Sequence, residues 1–334
     1  MLKLETVDSK TWDNFIENAV YSTIFHTSGW LGTFSDKIDY VTLKNQNGEI
    51  LAGVALPVLR KLGFRISVPP PLTPYMGILY NRLILEKMSH VKRLSAIKEW
   101  TIYILEYIKK NYHFWYTVFP IEHTDFHPFI WNKMDVFVSH TYILDLSIDE
   151  ESLWKNIYSK RRNDINRSIR DDIRIVHGKE SVIKDIIILV RKTFERQQIV
   201  YNAENIAKLP HATENFEVFI AYRSGKPLAG VVIVWDKKRA YYIAGGYDHE
   251  NKHSGAQAHA MWEAIKYSKH LGLKEFDFEG SIVPNIERFF RGFGGNLIVV
   301  HNVCYFKNWF TKKVFELSQK SSFIKRIRRK ILGR

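Results

Sequence analysis

The sequence predicts an α/β (α+β) fold in which two similar domains follow each other and a basic amphipathic helix ends the chain. Three observations lead to this prediction. The chain has 334 residues, which is more than one hydrophobic core commonly serves. The tetrapeptide Leu-Ala-Gly-Val occurs at 51–54 and again at 228–231, and similar patterns follow both copies. Finally, positive charge is concentrated at 311–334.

The two copies of the tetrapeptide stand in corresponding surroundings. Each follows a turn pair, Asn47-Gly48 or Ser224-Gly225, and begins an apolar strand. The segments that follow in each half are a strand ending near glycine (75–77 and 244–246), a long helix (90–110 and 255–270) and a closing apolar strand (114–119 and 275–278). Because the order is the same in both halves, the sequence indicates a duplicated α/β unit.

The boundary between the domains is predicted near the end of the apolar strand at 142–146. Ser147 or Asp149 can cap a helix that begins near Glu151 and runs to about Arg170. We therefore expect an N-terminal domain at 1–146, a C-terminal domain at 147–310 and a basic tail at 311–334.

Composition predicts a globular cytoplasmic protein. Hydrophobic residues make up 46% of the chain and aromatic residues 14%. The residues after Met1 lack the apolar pattern of a signal peptide, and no apolar run approaches the roughly 18 residues of a membrane span. The single Cys304 fits a reducing compartment and is expected in the core rather than as a nucleophile.

The net charge of +14 resides largely in the predicted tail. Residues 311–334 contain nine Lys or Arg and one acid, Glu316. Apolar residues recur among them at helical spacing: Phe323, Ile324, Ile327 and Ile331. Such a segment can lie on an anionic membrane surface, here the inner face of the membrane, or contact RNA phosphates. A solvated tail without a ligand is the third interpretation.

Two carboxylates near the end of the second half form the strongest candidate site. The motif FDFEG at 276–280 reads as a strand, so Phe276 and Phe278 share one face while Asp277 and Glu279 share the other. We expect both carboxylates to look into solvent-accessible space beside a glycine that lets a ligand approach. The alternative is that they cap the next helix, which Pro284 opens, or pair with its arginines.

Arginines supply candidate anion ligands. Arg288 and Arg291 lie at i and i+3 of the predicted short helix, so they share a face and could hold a phosphate or carboxylate. Arg162 falls within the apolar stripe of the helix after 150; it either snorkels to water or binds an anion in a cleft.

The second half resembles acyltransferases of the GNAT superfamily, in the tandem-domain branch that includes Fem-type peptidyltransferases and BioF2-like acetyltransferases. The resembling segments are SKRRNDI at 159–165, TFERQ at 193–197, YIAGG at 242–246, SGA at 254–256, WEAI at 262–265 and the region 276–295, with weaker matches at 25–30 and 70–77. The resemblance implies two GNAT-like domains, each a mixed, mostly antiparallel sheet flanked by helices. It also implies transfer of an acyl group to an amine.

The resemblance further implies a donor site. In GNAT enzymes a loop that opens a helix binds the pyrophosphate of coenzyme A, and here that loop corresponds to 252–257. The implied donor-binding residues are Gly245, Gly246, Lys252, Ser254, Gly255 and Ala256. Gln257 stands where the family has a small residue. The expected donor is acetyl-CoA or another acyl-CoA, and aminoacyl-tRNA, which the Fem-type relatives use, is the alternative.

Acyl transfer to an amine needs a deprotonated amine, a polarised carbonyl and close approach. Asp277 and Glu279 are the candidates for binding the amine or acting as base, with Tyr247 and His253 as alternates. Amides near Gly245 and Gly246 could polarise the carbonyl. Tyr75, at the corresponding strand end of the first half, joins Arg162, Arg288 and Arg291 as a candidate substrate-binding residue.

Three functions remain open at this point. The first is N-acylation of an amino sugar or amino acid on a nucleotide- or lipid-linked precursor of a cell-envelope glycan. The second is a Fem-type, aminoacyl-tRNA-dependent peptidyltransferase that builds a peptidoglycan cross-bridge. The third is a membrane-associated binding protein without chemistry. No metal is expected, because His123 with His127, and His249 with His253, lack a convincing third ligand.

Overall fold

The computed structural model describes residues 2–61, 63–199, 201–251 and 253–317. The chain divides into two compact units. Unit 1 comprises residues up to Ser139 together with those from Val299 to the end of the described chain, and unit 2 comprises His140–Ile298. The predicted domain bounds at 146 and 310 stay predictions.

The elements have the following bounds. The strands are β1 (Lys3–Val7), β2 (Ala19–Val20), β3 (Ile38–Lys44), β4 (Ile50–Pro57), β5 (Leu59–Lys61), β6 (Phe64–Ser67), β7 (Ile78–Asn81), β8 (Phe114–Val118), β9 (Asp135–Asp145), β10 (Arg174–Gly178), β11 (Phe216–Arg223), β12 (Lys226–Trp235), β13 (Arg239–Tyr247), β14 (Glu275–Asp277) and β15 (Asn296–Phe306). The helices are α1 (Ser9–Glu17), α2 (Ser28–Phe34), α3 (Arg82–Glu86), α4 (His90–Asn111), α5 (His127–Trp131), α6 (Glu150–Asn156), α7 (Ser159–Arg170), α8 (Ile183–Arg196), α9 (Leu209–Ala212), α10 (Ala256–His270), α11 (Pro284–Arg291) and α12 (Trp309–Leu317), with 3-10 turns at Ile24–His26 and Ala203–Lys208.

Unit 1 is built on a sheet of strand order β1-β3-β4-β7-β2, in which the paired strands run antiparallel. The long helix α4 covers this sheet, and its Ile104 and Leu105 share a core with Val54 of β4 and Ile78 of β7. In the same unit β8 pairs antiparallel with β15, and β6 pairs parallel with β8.

Unit 2 is built on a sheet of strand order β10-β11-β12-β13-β14-β9. Val231 and Ile233 of β12 share a core with Met261 of α10. The residue before them, Gly230, faces Ile186 of α8: a Cβ there would lie 2.8 Å from its Cδ1. Because neighbouring residues of a strand point to opposite faces, α10 and α8 cover opposite faces of this sheet.

The strands β13 and β14 pair in parallel only from Arg239↔Glu275 to Tyr241↔Asp277. β14 then ends, whereas β13 continues to Tyr247 beside β12. A register shift opposite Val232 and Ile233 leaves Ile243 as an extra residue in β13, which bends the strand. The two strands therefore separate beyond Tyr241 and Asp277.

These features confirm the predicted fold class, with mostly antiparallel sheets flanked by helices. The single helix predicted from about 151 to 170 is wrong, because the structure has two. Ile157 is extended, and the Tyr158 amide donates to the Gly292 carbonyl (2.9 Å) instead of continuing α6. Of the predicted tail, the structure describes the residues up to Leu317, and 318–334 lie outside the described residues. Among the described helices, none combines the length and apolar character that crossing a bilayer requires.

Candidate active site

Asp277 lies at the end of β14 and is fully buried, so the prediction that it faces solvent is wrong. Its Oδ1 accepts hydrogen bonds from Thr141 Oγ1 (2.5 Å) and from the amide of Glu279 (2.8 Å). β14 has neighbours on both edges, β13 and β9, and Thr141 on β9 helps to cover the face opposite the Phe276 and Phe278 rings. Asp277 thus orients the chain after β14 from inside the fold.

Glu279 lies on a turn that requires a left-handed backbone conformation and a glycine. Its φ is +56°, and that of Gly280 is +64°, so two successive residues occupy the left-handed region. A Cβ on Gly280 would lie 1.8 Å from the His140 carbonyl oxygen, which makes glycine necessary there. This turn ends the alternation of β14. The Glu279 side chain, unlike that of Asp277, is only partly buried.

Tyr242 lies on the part of β13 that extends beyond β14, within electrostatic reach of Glu279. Burial raises the pKa of the Tyr242 phenol, and the negative charge of Glu279 and the nearby Tyr201 raise this pKa further. Tyr242 is therefore a protonated hydrogen-bond donor at neutral pH. A Cβ on Gly245 would lie 2.3 Å from the Tyr242 hydroxyl, so this glycine makes room for the phenol. The sequence does not single out Tyr242 or Tyr201, because no pattern marks a tyrosine of a strand or of a connecting segment as part of a site.

The end of β13 is held against α8. A Cβ on Gly246 would lie 2.4 Å from the Leu189 carbonyl, so the backbone of β13 passes directly over the helix. The Tyr247 amide donates to Thr193 Oγ1 (2.9 Å), and the Arg196 guanidinium lies 5.2 Å from the centre of the Tyr247 ring. These contacts fix the strand end on which Gly245, Gly246 and Tyr247 lie.

The turn before α10, predicted to bind the donor, is closed by α7. A Cβ on Gly255 would lie 1.9 Å from the Asp164 carbonyl oxygen of α7, and both Gly255 and Ala256 are buried. The Gly255 amide donates to His253 Nδ1 (3.1 Å), and His253 Nε2 lies 2.9 Å from the Asp171 carboxylate. This hydrogen bond lowers the pKa of Asp171. His253 therefore organises the turn.

Two polar side chains border this turn. Ser254 is exposed, and its hydroxyl accepts from Arg167 of α7 (3.0 Å). Gln257 reaches beneath the helix and donates to the Gly230 carbonyl of β12 (3.1 Å). Its side chain thereby occupies space that a small residue at this position would leave open. Lys252, the remaining predicted donor ligand of this turn, lies outside the described residues.

A cleft of about 530 Å³ opens between the C-terminal half of α8 and the segment that follows it. Its lining is mostly polar and aromatic: Arg191, Phe194, Glu195, Gln198, Ile199, Tyr201, Asn202, Ala203 and Glu204. Phe194 and Tyr201 stack with ring centroids 4.1 Å apart. Tyr201 of this cleft lies close enough to Tyr242 for its charge to raise the pKa of the Tyr242 phenol.

The predicted arginine ligands are engaged elsewhere in unit 2. Arg162 donates to the Lys155 carbonyl (2.7 Å) and so caps the end of α6. Its neighbour Arg161 lies over the Phe289 ring, 4.4 Å from the centre, and joins α7 to α11. Arg291 pairs with Glu287 (3.3 Å), and Arg288 is exposed on the same helix. None of these contacts joins them to Glu279.

The prediction that a strand of the first half ends at 75–77 is wrong, because β7 begins at Ile78. Tyr75, the predicted substrate ligand, is 2% exposed. A Cβ on Gly77 would lie 2.7 Å from the Phe119 ring, and Phe119 packs against His123 and Phe126. Aromatic side chains thus occupy the space beside Gly77, just before β7. In the part of the chain that the structure describes, no group of three or more His, Cys, Asp or Glu is placed to hold a metal ion.

Comparison with known proteins indicates the class of protein to which this chain is similar. Residues 159–291, inside unit 2, match the family model described as "Acetyltransferase (GNAT) domain". A search of curated proteins found no match by sequence. The protein is thus an acyltransferase with a tandem GNAT, FemAB-like fold, as predicted from the sequence.

Solved structures support the fold over nearly the whole chain. FemX has a TM-score of 0.68 at 12% identity, covering 94% of this chain and 99% of its own. The C-terminal domain of a putative lysylphosphatidylglycerol synthetase from Agrobacterium fabrum has a TM-score of 0.59 at 9% identity, covering 93% and 97%. A tandem GNAT protein from the clavulanic acid biosynthesis pathway has a TM-score of 0.51 at 8% identity, covering 92% and 99%. At these identities the likeness concerns the fold.

Proposed function

We propose that unit 2 transfers an acyl group to the amine of a cell-envelope glycan precursor, at the point where β13 and β14 separate. The observation that supports this proposal is that Glu279 and Tyr242 lie within electrostatic reach of each other, and that Tyr201 of the cleft lies within reach of Tyr242. The cleft has the size of a small-molecule site. The amine enters through it, as part of an amino sugar or amino acid.

Each of the residues near this point has its own role in the proposed reaction. Glu279 binds the ammonium group of the acceptor and takes one proton from it, which frees the nitrogen lone pair. The nitrogen attacks the acyl carbonyl carbon and the C–N bond forms. The bond to the leaving sulfur or oxygen then breaks, and the surplus proton of the nitrogen passes to that atom, so that a thiol or hydroxyl departs. The protonated Tyr242 and the amides near Gly245 donate hydrogen bonds to the oxygen that becomes negative. Asp277 holds the Glu279 turn and does not itself touch the substrate.

Acyl-CoA is the first candidate donor, and the GNAT acetyltransferase match supports it. Aminoacyl-tRNA is the second candidate, which a specific observation favours. Gly255 and Ala256 are buried beneath α7, and the Gly255 amide already donates to His253, so the usual pyrophosphate position at the start of α10 is covered. The similar lysylphosphatidylglycerol synthetase fold carries a name that denotes transfer of an aminoacyl group.

Binding experiments separate the donors. Acetyl-CoA or free CoA at a hundredfold excess over its Kd should stabilise the protein by about 2.7 kcal/mol, seen as a raised Tm. Salt-dependent binding of tRNA without any effect of CoA selects the second donor. Glu279→Gln is the matched variant, since it should retain donor binding and lose transfer. If neither donor binds and Glu279→Gln retains biological activity, the protein is a binding protein and the proposed reaction is wrong.

The proposed location is the cytoplasm, at the inner face of the membrane. The basic sequence at 311–334 supports it, because lysines and arginines are attracted to anionic lipids. A lipid-linked precursor would be reached directly from this position. A nucleotide-linked precursor would be reached from solution. Measuring transfer to detergent-solubilised lipid fractions and to nucleotide fractions distinguishes the two acceptors.

A further inference from the structure

Unit 1 exposes aromatic side chains among lysines. We define its aromatic–basic face as Trp131, Lys307, Trp309, Phe310, Lys312 and Lys313. Trp309 is 70% exposed, Phe310 59% and Trp131 57%, and the three lysines are exposed as well. Exposed aromatic groups that are clustered in this way mark an interaction surface more often than singly scattered ones do.

The fold holds two of these rings outward. Asn308 caps the start of α12, because its Oδ1 accepts from both the amide and the hydroxyl of Thr311 at 2.8 Å. Thr311 is buried, so the opposite side of this turn, with Trp309 and Phe310, faces away from unit 1. The Lys307 amide donates to the His113 carbonyl (2.9 Å) and anchors the entry to the helix. The hydrogen bonds of Lys307, Asn308 and Thr311 therefore fix the orientation of the two rings.

Contacts of Lys312 place the end of α5 in the same region. Lys312 Nζ lies 3.4 Å from the Asp135 carboxylate and 5.6 Å from the centre of the Phe306 ring. Asp135 follows Trp131 by four residues, a chain length that spans at most about 14 Å. The end of α5, with the exposed Trp131, therefore lies near the first turn of α12 in unit 1. Asp135 is an acid of this region, and it pairs with Lys312.

We propose that the aromatic–basic face binds an anionic lipid bilayer. Tryptophan and phenylalanine prefer the boundary between headgroups and acyl chains, and lysines beside them contact lipid phosphates. A bilayer is flat and needs no pocket, which suits a convex helix end. A second copy of the chain fits less well, because it would oppose lysines to lysines. The sequence after 317 continues the same charge, with seven Lys or Arg and no acid at 318–334.

This inference deepens the proposed membrane location and is independent of the reaction. It states that residues of unit 1 contact the bilayer, so that binding does not depend only on the basic sequence at 318–334. Full-length protein is mixed with vesicles of equimolar phosphatidylglycerol and phosphatidylcholine, or of phosphatidylcholine alone, and bound protein is measured by flotation. The variants are Trp309→Ala with Phe310→Ala, and Lys307→Gln with Lys313→Gln. Val91→Ala is the matched control, because Val91 is an exposed apolar residue of α4 in the same unit.

Wild type and Val91→Ala should bind the anionic vesicles alike and the neutral vesicles weakly. The double aromatic variant should lose about tenfold in affinity at every salt concentration, and the double lysine variant a similar factor at low salt only. Thermal unfolding of all variants should match wild type. Unchanged binding by both double variants would overturn the inference. So would a dimer that the aromatic variant dissociates, or equal, aromatic-dependent binding to a uridine oligonucleotide in place of vesicles.

Discussion

The amide of Glu279 donates a hydrogen bond of 2.8 Å to Oδ1 of Asp277, so the fully buried Asp277 carboxylate fixes the turn that carries the partly buried residue Glu279. The two acids of the FDFEG motif are therefore not equivalent. The first belongs to the interior of unit 2 and acts through geometry. The second is only partly buried, and its charge raises the pKa of Tyr242. This difference leads to separate predictions for the two residues.

Asp277→Ala should lower both stability and activity. The change removes the acceptor for Thr141 Oγ1 and for the Glu279 amide inside a closed interior, at a cost of about 2–4 kcal/mol in unfolding free energy. Urea unfolding measures this cost. Thr141→Val is the matched control, since it removes one of these hydrogen bonds and leaves the other. A kcat loss in Asp277→Ala without any loss of stability would instead indicate that Asp277 contacts the substrate.

Gly280→Ala should be far more harmful than Gly272→Ala. Both glycines have positive φ, +64° and +79°, so alanine is strained at either position by about 1 kcal/mol. A Cβ meets nothing within 4 Å at Gly272, but at Gly280 it would lie 1.8 Å from the His140 carbonyl oxygen. We expect a further loss of about 2–3 kcal/mol and displacement of Glu279 in that variant. Equal Tm values for the two variants would contradict the described turn.

Unit 1 should lose stability in mild acid. Burial lowers the pKa of His26 and of His123 to about 4, from an ordinary value of about 6.5. Between these values the unfolded chain takes up protons that the folded chain excludes, so stability present above pH 6.5 is lost as pH falls towards 4. Each histidine accounts for roughly 3 kcal/mol over that window.

The contribution of His123 can be isolated. His123 packs among the rings of Tyr21, Phe119 and Phe126, so phenylalanine can replace it. His123→Phe should therefore reduce the slope of unfolding free energy against pH between 6.5 and 4 by about one proton. An unchanged slope would mean that His123 is protonated in the folded state.

Elements with strong local patterns could be predicted from the sequence. The observed α4 and α10 begin and end within a residue of the predicted 90–110 and 255–270, because their apolar residues are long helical series bounded by turns. The break between α6 and α7 could not be predicted. It depends on the hydrogen bond from Tyr158 to Gly292, a residue distant in sequence.

Only part of the candidate site could be predicted from the sequence, because the rest depends on contacts between residues that are distant in the chain. Alternation correctly set Phe276 apart from Asp277, but whether the second face of β14 is open depends on β9, which comes from the start of unit 2. The nearness of Tyr242 to Glu279 likewise depends on where β13 and β14 separate. Arg161 faces α11, whereas Arg162 contacts the end of α6. The sequence could not predict this difference, because it depends on how the helices pack.

The measurement that tests the account most directly is single-turnover acyl transfer by Glu279→Gln, with the donor that raises the wild-type Tm and a fraction containing the acceptor. Removing a general base should slow transfer by about 10²–10⁴-fold while donor affinity and Tm stay at wild-type values. Tyr242→Phe should lose less, about 10-fold to 10³-fold, because backbone amides still polarise the carbonyl. Wild-type transfer by Glu279→Gln would contradict the account, because the chemistry would then belong to other residues.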